Sequence, residues 1–107
     1  MVKKEIGHIL KELLEQRGIV IDKIVIFGSY AKGKEKEDSD IDIIIVSKDF
    51  RDKSIFERVE LTTGVGLELV RRTKKPFDIM YYSDKEWEKG SSLTINAAKD
   101  EGVVIYG

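Results

Sequence analysis

One stretch, residues 24–46, constrains the fold of this 107-residue chain more than any other. It starts with a short apolar, β-branched run typical of a buried strand, which the pair Gly28-Ser29 interrupts. A charged loop follows, and then a second apolar run that opens with Asp40 and Asp42. Because side chains alternate along a strand, we expect these two aspartates on one face. Two adjacent carboxylates repel each other, so the pattern predicts a divalent cation as compensation.

The Gly28-Ser29 pair, ten intervening residues and Asp40-x-Asp42 together resemble the signature of the nucleotidyltransferase superfamily, whose best-known member is DNA polymerase beta. At this chain length the sequence resembles the minimal nucleotidyltransferases, which are often antitoxin partners of HEPN-domain proteins. The resemblance implies an α/β (α+β) fold with a mixed, mostly antiparallel sheet packed against helices. It also implies that residues 1–107 form one domain.

The same resemblance assigns roles to three carboxylates. It implies that Asp40 and Asp42 are catalytic and ligate two Mg²⁺ ions, with Mn²⁺ as an alternative. It adds Asp78, from a third predicted strand, as the ligand that helps to activate the attacking hydroxyl. Oxygen ligands suit these hard cations, and two of them can stabilise both the attacking and the leaving oxygen. An edge-strand aspartate exposed to water remains the alternative for Asp78.

Three further residues are expected to contact phosphate. By the resemblance, Gly28 and Ser29 position the β- and γ-phosphates, because free amides at such a turn point towards an anion. Lys32 is the loop lysine nearest to this turn, and we expect it to contact phosphate as well. The alternative for the loop is a solvated charged segment.

The implied reaction moves a nucleoside monophosphate from an NTP onto a hydroxyl with release of pyrophosphate, and the expected case is AMP from ATP. A HEPN-type toxin is the expected acceptor, which would make the protein an antitoxin. The alternative is a non-catalytic nucleotide-binding module that neutralises its partner by binding. The oligomeric state stays open, with a homo-oligomer among the alternatives.

Two rival motifs overlap the central stretch. Gly28-x4-Gly33-Lys34 nearly forms a P-loop, but the next residue is Glu35 where Ser or Thr should ligate magnesium. Asp38-x-Asp40-x-Asp42 resembles the start of a calcium-binding EF-hand loop, but its sixth position is Ile43 instead of Gly. We reject the calcium loop and retain the P-loop as a minor alternative.

Periodicity and turn residues predict the other elements. Helices are expected over residues 2–17, 55–72, 83–90 and 91–100, and strands over 23–27, 40–46, 76–82 and 103–106. Within the second helix, Gly64 and Gly66 either permit close packing against the sheet or mark a break, because each glycine lowers helix stability by up to about 1 kcal/mol.

Composition narrows the function classes. The net charge of −1 gives no general reason to bind nucleic acid or an acidic membrane. The absence of cysteine excludes disulfides, Cys-based zinc sites and thiol catalysis. No apolar run approaches the roughly 20 residues of a membrane helix, so we expect a cytoplasmic protein without membrane contact. The abundance of charged residues, 36%, predicts a thermophilic source.

Two local features have open alternatives. The basic segment Arg71–Lys75 fits the C-terminal end of a helix, where positive charge is favourable, and its alternative is contact with RNA. His8, the only histidine, is expected at the edge of an apolar stripe and not in a metal site.

Overall fold

The computed structural model describes residues 2–34 and 39–107. In this part of the chain the elements are α1 (Val2–Glu15), β1 (Lys23–Phe27), β2 (Ile41–Val46), α2 (Ile55–Leu61), α3 (Val65–Thr73), β3 (Phe77–Tyr82), α4 (Asp84–Lys89), α5 (Leu93–Glu101) and β4 (Val103–Tyr106). A 3₁₀ turn, Lys48–Phe50, lies between β2 and α2 and was not expected from the sequence. Glu35 and Asp38, on which the two rival motifs depend, lie outside the described residues.

The four strands form one sheet in the order β3-β2-β1-β4. β1 runs antiparallel to both β2 and β4, whereas β2 and β3 are parallel. The mixed, mostly antiparallel sheet that the sequence predicts is therefore confirmed, with β4 at one edge. Parallel pairing of β2 and β3 needs a crossover connection, which α2 and α3 provide.

Helices cover both faces of the sheet. On one face, α1 and α3 bury the alternate strand residues that include Ile43 and Ile79. On the other face, α4 and α5 contribute Trp87 and Ala98, which pack around Ile44 and Met80. Because neighbouring residues of a strand belong to opposite clusters, the apolar runs of β1 and β2 are buried on both sides. No helix in the described ranges is long and apolar enough to cross a bilayer.

The expected helix over residues 55–72 is two helices. Gly64, with φ of 85°, separates α2 from α3, since other residues rarely adopt this left-handed conformation. Gly66 instead lies inside α3, where an added Cβ would be in ordinary contact with Ile79. The two helices also differ in burial, because Ile55 and Val59 of α2 are exposed while Leu69 of α3 is buried.

The remaining helix boundaries follow local capping chemistry. Ser83 and Glu86 form a capping box at the start of α4, and Gly90 ends that helix in the left-handed conformation, as the sequence predicts. Ser92 caps α5. α1 ends two residues earlier than predicted, at Glu15 instead of position 17, and continues as a turn to Gly18.

Candidate functional site: three aspartates at the end of the parallel strand pair

Asp42 lies at the centre of the candidate site. It is the second residue of β2 and is paired in register with Phe27 of β1 on one side and with Asp78 of β3 on the other. Paired residues on neighbouring strands are separated by about 4.8 Å between backbones, so the two aspartates are direct neighbours. The expectation that β3 would bring Asp78 beside the β2 carboxylates is confirmed.

The three carboxylates share one face of the sheet. Met80 packs in the cluster on the α4–α5 side, and Asp78, two residues earlier on β3, projects to the same side. Asp40 immediately precedes β2, in phase with Asp42. Asp40 and Asp78 are exposed and Asp42 is half-buried. Asp78 is thus both an edge-strand residue open to solvent and a member of the acidic group.

The electrostatics of Asp42 reflect this crowding. Burial first, and then the negative charges of Asp78 and Asp40, raise the pKa of the Asp42 carboxyl above its usual value of 3.8. The ionised form is therefore penalised by both desolvation and repulsion. A cation bound by these carboxylates would remove the repulsion and favour the ionised form.

Gly28 approaches the Asp42 carboxylate from the end of β1. Its φ is 76°, and a Cβ at this position would overlap the Asp42 side-chain oxygens. A residue without a side chain is therefore required here for two independent reasons, backbone conformation and space. The motif residue Gly28 and the motif residue Asp42 are in direct contact across the β1–β2 pair.

Ser29 opens a short helical turn next to this contact. Lys34 N donates to Ser29 O at 2.9 Å, and Lys32 N donates to Gly28 O at 3.4 Å. Such a turn resembles the start of a helix, in which the first amides have no partner within the turn and are suited to an anion. The turn begins at Gly28, whose backbone approaches the Asp42 carboxylate, and its role in phosphate binding stays a prediction.

Lys32 is paired with an acid that the sequence analysis did not single out. Its Nζ lies 2.8 Å from Oε2 of Glu101, at the C-terminal end of α5, and both side chains are about half exposed. Nothing in the local sequence signals this pair, because the two residues meet only through the β1–β4 pairing. The structure places Lys32 beside the turn, but directs its ammonium group towards α5.

The donor set fits a hard divalent cation, since Asp40, Asp42 and Asp78 supply oxygen ligands and no nitrogen or sulfur. The repulsion at Asp42 is the observation that favours a cation there. In the described conformation, however, no group of three acidic or histidine side chains among residues 2–34 and 39–107 converges into a finished metal site. Asp40 and Asp78 are exposed, and Asp42 between them is half-buried.

The basic segment Arg71–Lys75 and His8 lie elsewhere. Arg71 bonds Glu68, and Arg72 bonds both Glu68 and Glu12 of α1. Hydrogen bonds from the two arginines lower the pKa of Glu68 to about 2. The Arg72–Glu12 pair ties α3 to α1 and the pairs with Glu68 lie within α3, which favours the helix-end interpretation over RNA contact. His8 is exposed on α1.

The sequence of this chain is similar to those of nucleotidyltransferases. The model of the family described as nucleotidyltransferase domain matches residues 6–105. The protein adenylyltransferase MntA of Thermococcus cleftensis is 36% identical over 67 residues, covering 59% of this chain and 66% of the relative. A candidate protein adenylyltransferase of Methanocaldococcus jannaschii is 43% identical over 47 residues, or 44% of this chain and 40% of the relative. The chain thus spans less than two thirds of the length of these relatives.

Solved structures share the fold. A toxin–antitoxin complex with AMP-PNP aligns with 94% of this chain and 72% of its own, at 22% identity and a TM-score of 0.62. A tri-AMPylated HEPN toxin of Shewanella oneidensis in complex with an MNT antitoxin aligns with 100% of this chain and 73% of its own, at 21% identity and a TM-score of 0.56. A Sulfolobus solfataricus structure aligns with 96% of this chain and 81% of its own, at 21% identity and a TM-score of 0.56.

Proposed function

Because this chain belongs to the nucleotidyltransferase domain family, we propose that it transfers AMP from ATP to a hydroxyl group of a partner protein. The observation that carries the proposal is the register that sets Asp42 beside Asp78 while Gly28 approaches the same carboxylate. These contacts bring Gly28, Asp42 and Asp78 together at one end of the sheet. MntA of Thermococcus cleftensis, a relative over 59% of this chain, is named a protein adenylyltransferase.

The residues of the candidate site would have different roles in the reaction. Asp40, Asp42 and Asp78 would hold Mg²⁺ or Mn²⁺, which neutralises triphosphate charge and stabilises the attacking and leaving oxygens when it is bound. The turn that begins at Gly28-Ser29 would orient the terminal phosphates through its amides. Asp78, at the exposed edge strand, would accept the proton of the incoming hydroxyl. Positioning and electrostatics, with no covalent intermediate on the protein, suffice for this reaction.

A HEPN-type toxin is the acceptor that we propose, and antitoxin action in the cytoplasm is the consequence. The solved structures with the same fold include a complex of an AMPylated HEPN toxin with an MNT antitoxin. The described part of this chain holds one sheet with the helices that cover it. By likeness to that complex, we propose that the acceptor group lies on a second protein and that residues 1–107 act as one domain.

The test is incubation of the purified protein with labelled ATP and MgCl₂, alone and with a HEPN-type protein from the same organism. Label on the partner that is lost with Asp42→Asn, and with the Asp40→Ala, Asp42→Ala double variant, supports the proposal. The matched control is Asp100→Asn, an exposed aspartate of α5, which should keep full activity. Full transfer by a folded double variant would refute it.

A second candidate, a non-catalytic module that neutralises its partner by binding, is favoured by one observation. The three carboxylates do not converge into a finished metal site in the described part of the chain. Binding of ATP and Mg²⁺ without transfer, together with a stable complex with the partner, would favour this candidate over catalysis. Absence of nucleotide binding would contradict both.

A further inference from the structure

Three strongly exposed apolar side chains of the crossover lie on α2, and Leu67 of α3 is 77% exposed as well. The exposed fractions are 75% for Ile55, 81% for Phe56 and 56% for Val59. A helix normally turns its apolar side chains towards the core, and contiguous exposed apolar surface marks an interaction site. Here the side that α2 turns inward carries Arg58 instead, which is buried.

A cleft of about 290 Å³ separates α2 from β3. Ile55 and Val59 line one wall, and the β3 residues Ile79–Tyr82 line the other. This volume is at the lower limit of the roughly 300–1,000 Å³ of small-molecule sites, and an apolar lining of this size suits one or two protein side chains. The Arg58–Glu86 ion pair, with 2.7 Å between Nη1 and Oε1, lies at the α4 end.

The outer edge of β3 is open beside this cleft. The carbonyls of Pro76 and Tyr82 accept hydrogen bonds from the β2 side, so the alternate residues Phe77, Ile79 and Tyr81 direct their backbone groups outward. Tyr81 O accepts from Arg58 Nη1 at 2.9 Å. No strand of the described chain pairs with this side at Phe77 and Ile79. Such an edge accepts an extended segment as an additional strand.

The open part of the edge coincides with the candidate site. Asp78 lies between the two residues whose backbone groups face outward. A strand rises about 3.3 Å per residue, so the cleft residues Met80–Tyr82 lie about 7–13 Å from Asp78 along β3. A segment anchored in the cleft would therefore bring a side chain two to four residues away to the aspartate.

The negative charge of Asp78 argues against a second copy of this chain as the partner that pairs with the outer edge of β3. Antiparallel pairing of two β3 strands through Phe77 and Ile79 would set Asp78 directly opposite its equivalent. Like charges directly opposite destabilise a strand pair, and the acidic group around Asp42 would be doubled at the same place. A segment of a different protein with an uncharged hydroxyl residue at that position avoids the repulsion.

We infer that the cleft between α2 and β3 and the open edge of β3 receive an extended apolar segment of the acceptor protein, which adds to the sheet as a strand and presents its hydroxyl to Asp78. This inference rests on the proposed function and identifies how the acceptor is recognised. Apolar side chains in the cleft supply affinity, and the backbone bonds to Phe77 and Ile79 fix the register.

The test measures binding of the purified HEPN-type partner without ATP. Ile55→Glu and Val59→Glu place a charge in the cleft and should weaken the complex by about tenfold or more. Leu93→Glu is the matched control, because Leu93 is 89% exposed on α5 and outside the cleft. Equal affinity of Val59→Glu and the wild type, or no complex with the wild type, would overturn the inference.

Hydrogen exchange of backbone amides tests the strand addition itself. The amides of Phe77 and Ile79 should exchange rapidly in the free protein and slowly in the complex, whereas those of Asp78 and Met80, which face β2, should be protected in both. A complex that leaves Phe77 and Ile79 unprotected would overturn the inference. Protection of both amides in the isolated chain, with dimers in sedimentation, would assign the edge to a second copy and overturn it too.

The two proposals fail separately in these experiments. Docking is measured without nucleotide and repeated with Asp42→Asn, so it does not depend on transfer. A complex with protected Phe77 and Ile79 but no label on the partner would support the docking surface and contradict AMP transfer. Transfer that Val59→Glu leaves unchanged would support the proposed function and contradict the docking surface.

Discussion

β1 and β3 both pair with β2, yet their environments differ. Four of the five residues of β1 are buried, whereas all six residues of β3 are at least partly exposed. β1 meets β2 through a local antiparallel connection and contributes Gly28, while β3 arrives by a long crossover and contributes Asp78. One neighbour of β2 is thus buried in the core, and the other is an edge strand partly exposed to solvent.

The largest expected effect contrasts the core with this open edge. Ile43→Ala removes a fully buried side chain and should lower the free energy of unfolding by about 2–5 kcal/mol. Ile79→Ala, the residue paired with Ile43 on β3, is only partly buried and should cost less than about 2 kcal/mol. Chemical denaturation measures both, and equal losses would contradict the contrast.

The same contrast explains what the sequence could predict. The strands β1 and β2 are recognisable because their apolar runs and the intervening Gly28-Ser29 pair are local signals. Gly28 and Asp42 come close together because β1 and β2 follow each other in the sequence and pair antiparallel. The position of Asp78 depends on a non-local parallel pairing, which the family resemblance supplied and periodicity did not.

The crossover could not be predicted to the same extent. The apolar residues of α2 have helical spacing, and spacing alone does not say whether they meet the core or another protein. Gly64 was compatible with either close packing or a break, and only the backbone conformation distinguishes the two. The pair Lys32–Glu101 likewise depends on the β1–β4 pairing, for which the local sequence carries no signal.

The second prediction concerns the residue that holds α2 at the edge. Arg58 Nε donates to Lys53 O and its Nη1 to Tyr81 O, so Arg58→Met removes a donor from both carbonyls and the ion-pair partner of Glu86. We expect a loss of about 1–3 kcal/mol in the free energy of unfolding. Arg71→Met, which breaks an exposed pair with Glu68, is the control and should change stability little. Equal effects of the two variants would contradict a specific role of Arg58.

The third prediction isolates the contact between β1 and Asp42. Gly28→Ala and Gly33→Ala both force alanine into a left-handed backbone, at φ of 76° and 69°, which costs about 1–2 kcal/mol. Only at Gly28 does the new methyl group overlap the Asp42 carboxylate, because no atom among residues 2–34 and 39–107 contacts a Cβ at Gly33. Thermal unfolding and ATP binding should therefore both be impaired more by Gly28→Ala. Identical behaviour of the two variants would remove the argument from close approach.

The smallest expected effect is a gain in stability instead of a loss, and it tests the charge of the site. Burial and the neighbouring aspartates raise the pKa of Asp42 above 3.8 in the folded protein. A carboxyl group with a raised folded pKa stabilises the fold below its unfolded pKa and loses that contribution as the pH rises through the folded value. Asp42→Asn should therefore unfold at a higher temperature than the wild type at pH 7 without divalent cations, and this advantage should disappear on acidification to pH values below about 4.

Magnesium separates this electrostatic explanation from a general effect of the substitution. If the carboxylates bind the cation, MgCl₂ should raise the unfolding temperature of the wild type and leave Asp42→Asn nearly unchanged, because a ligand that binds only the folded state stabilises it. Asp100→Asn should respond to MgCl₂ as the wild type does. A metal-free Asp42→Asn variant that is less stable than the wild type at pH 7 would mean that Asp42 stabilises the fold instead of straining it. In that case the repulsion among the aspartates beside β3 would not destabilise the fold at pH 7, even without a bound cation.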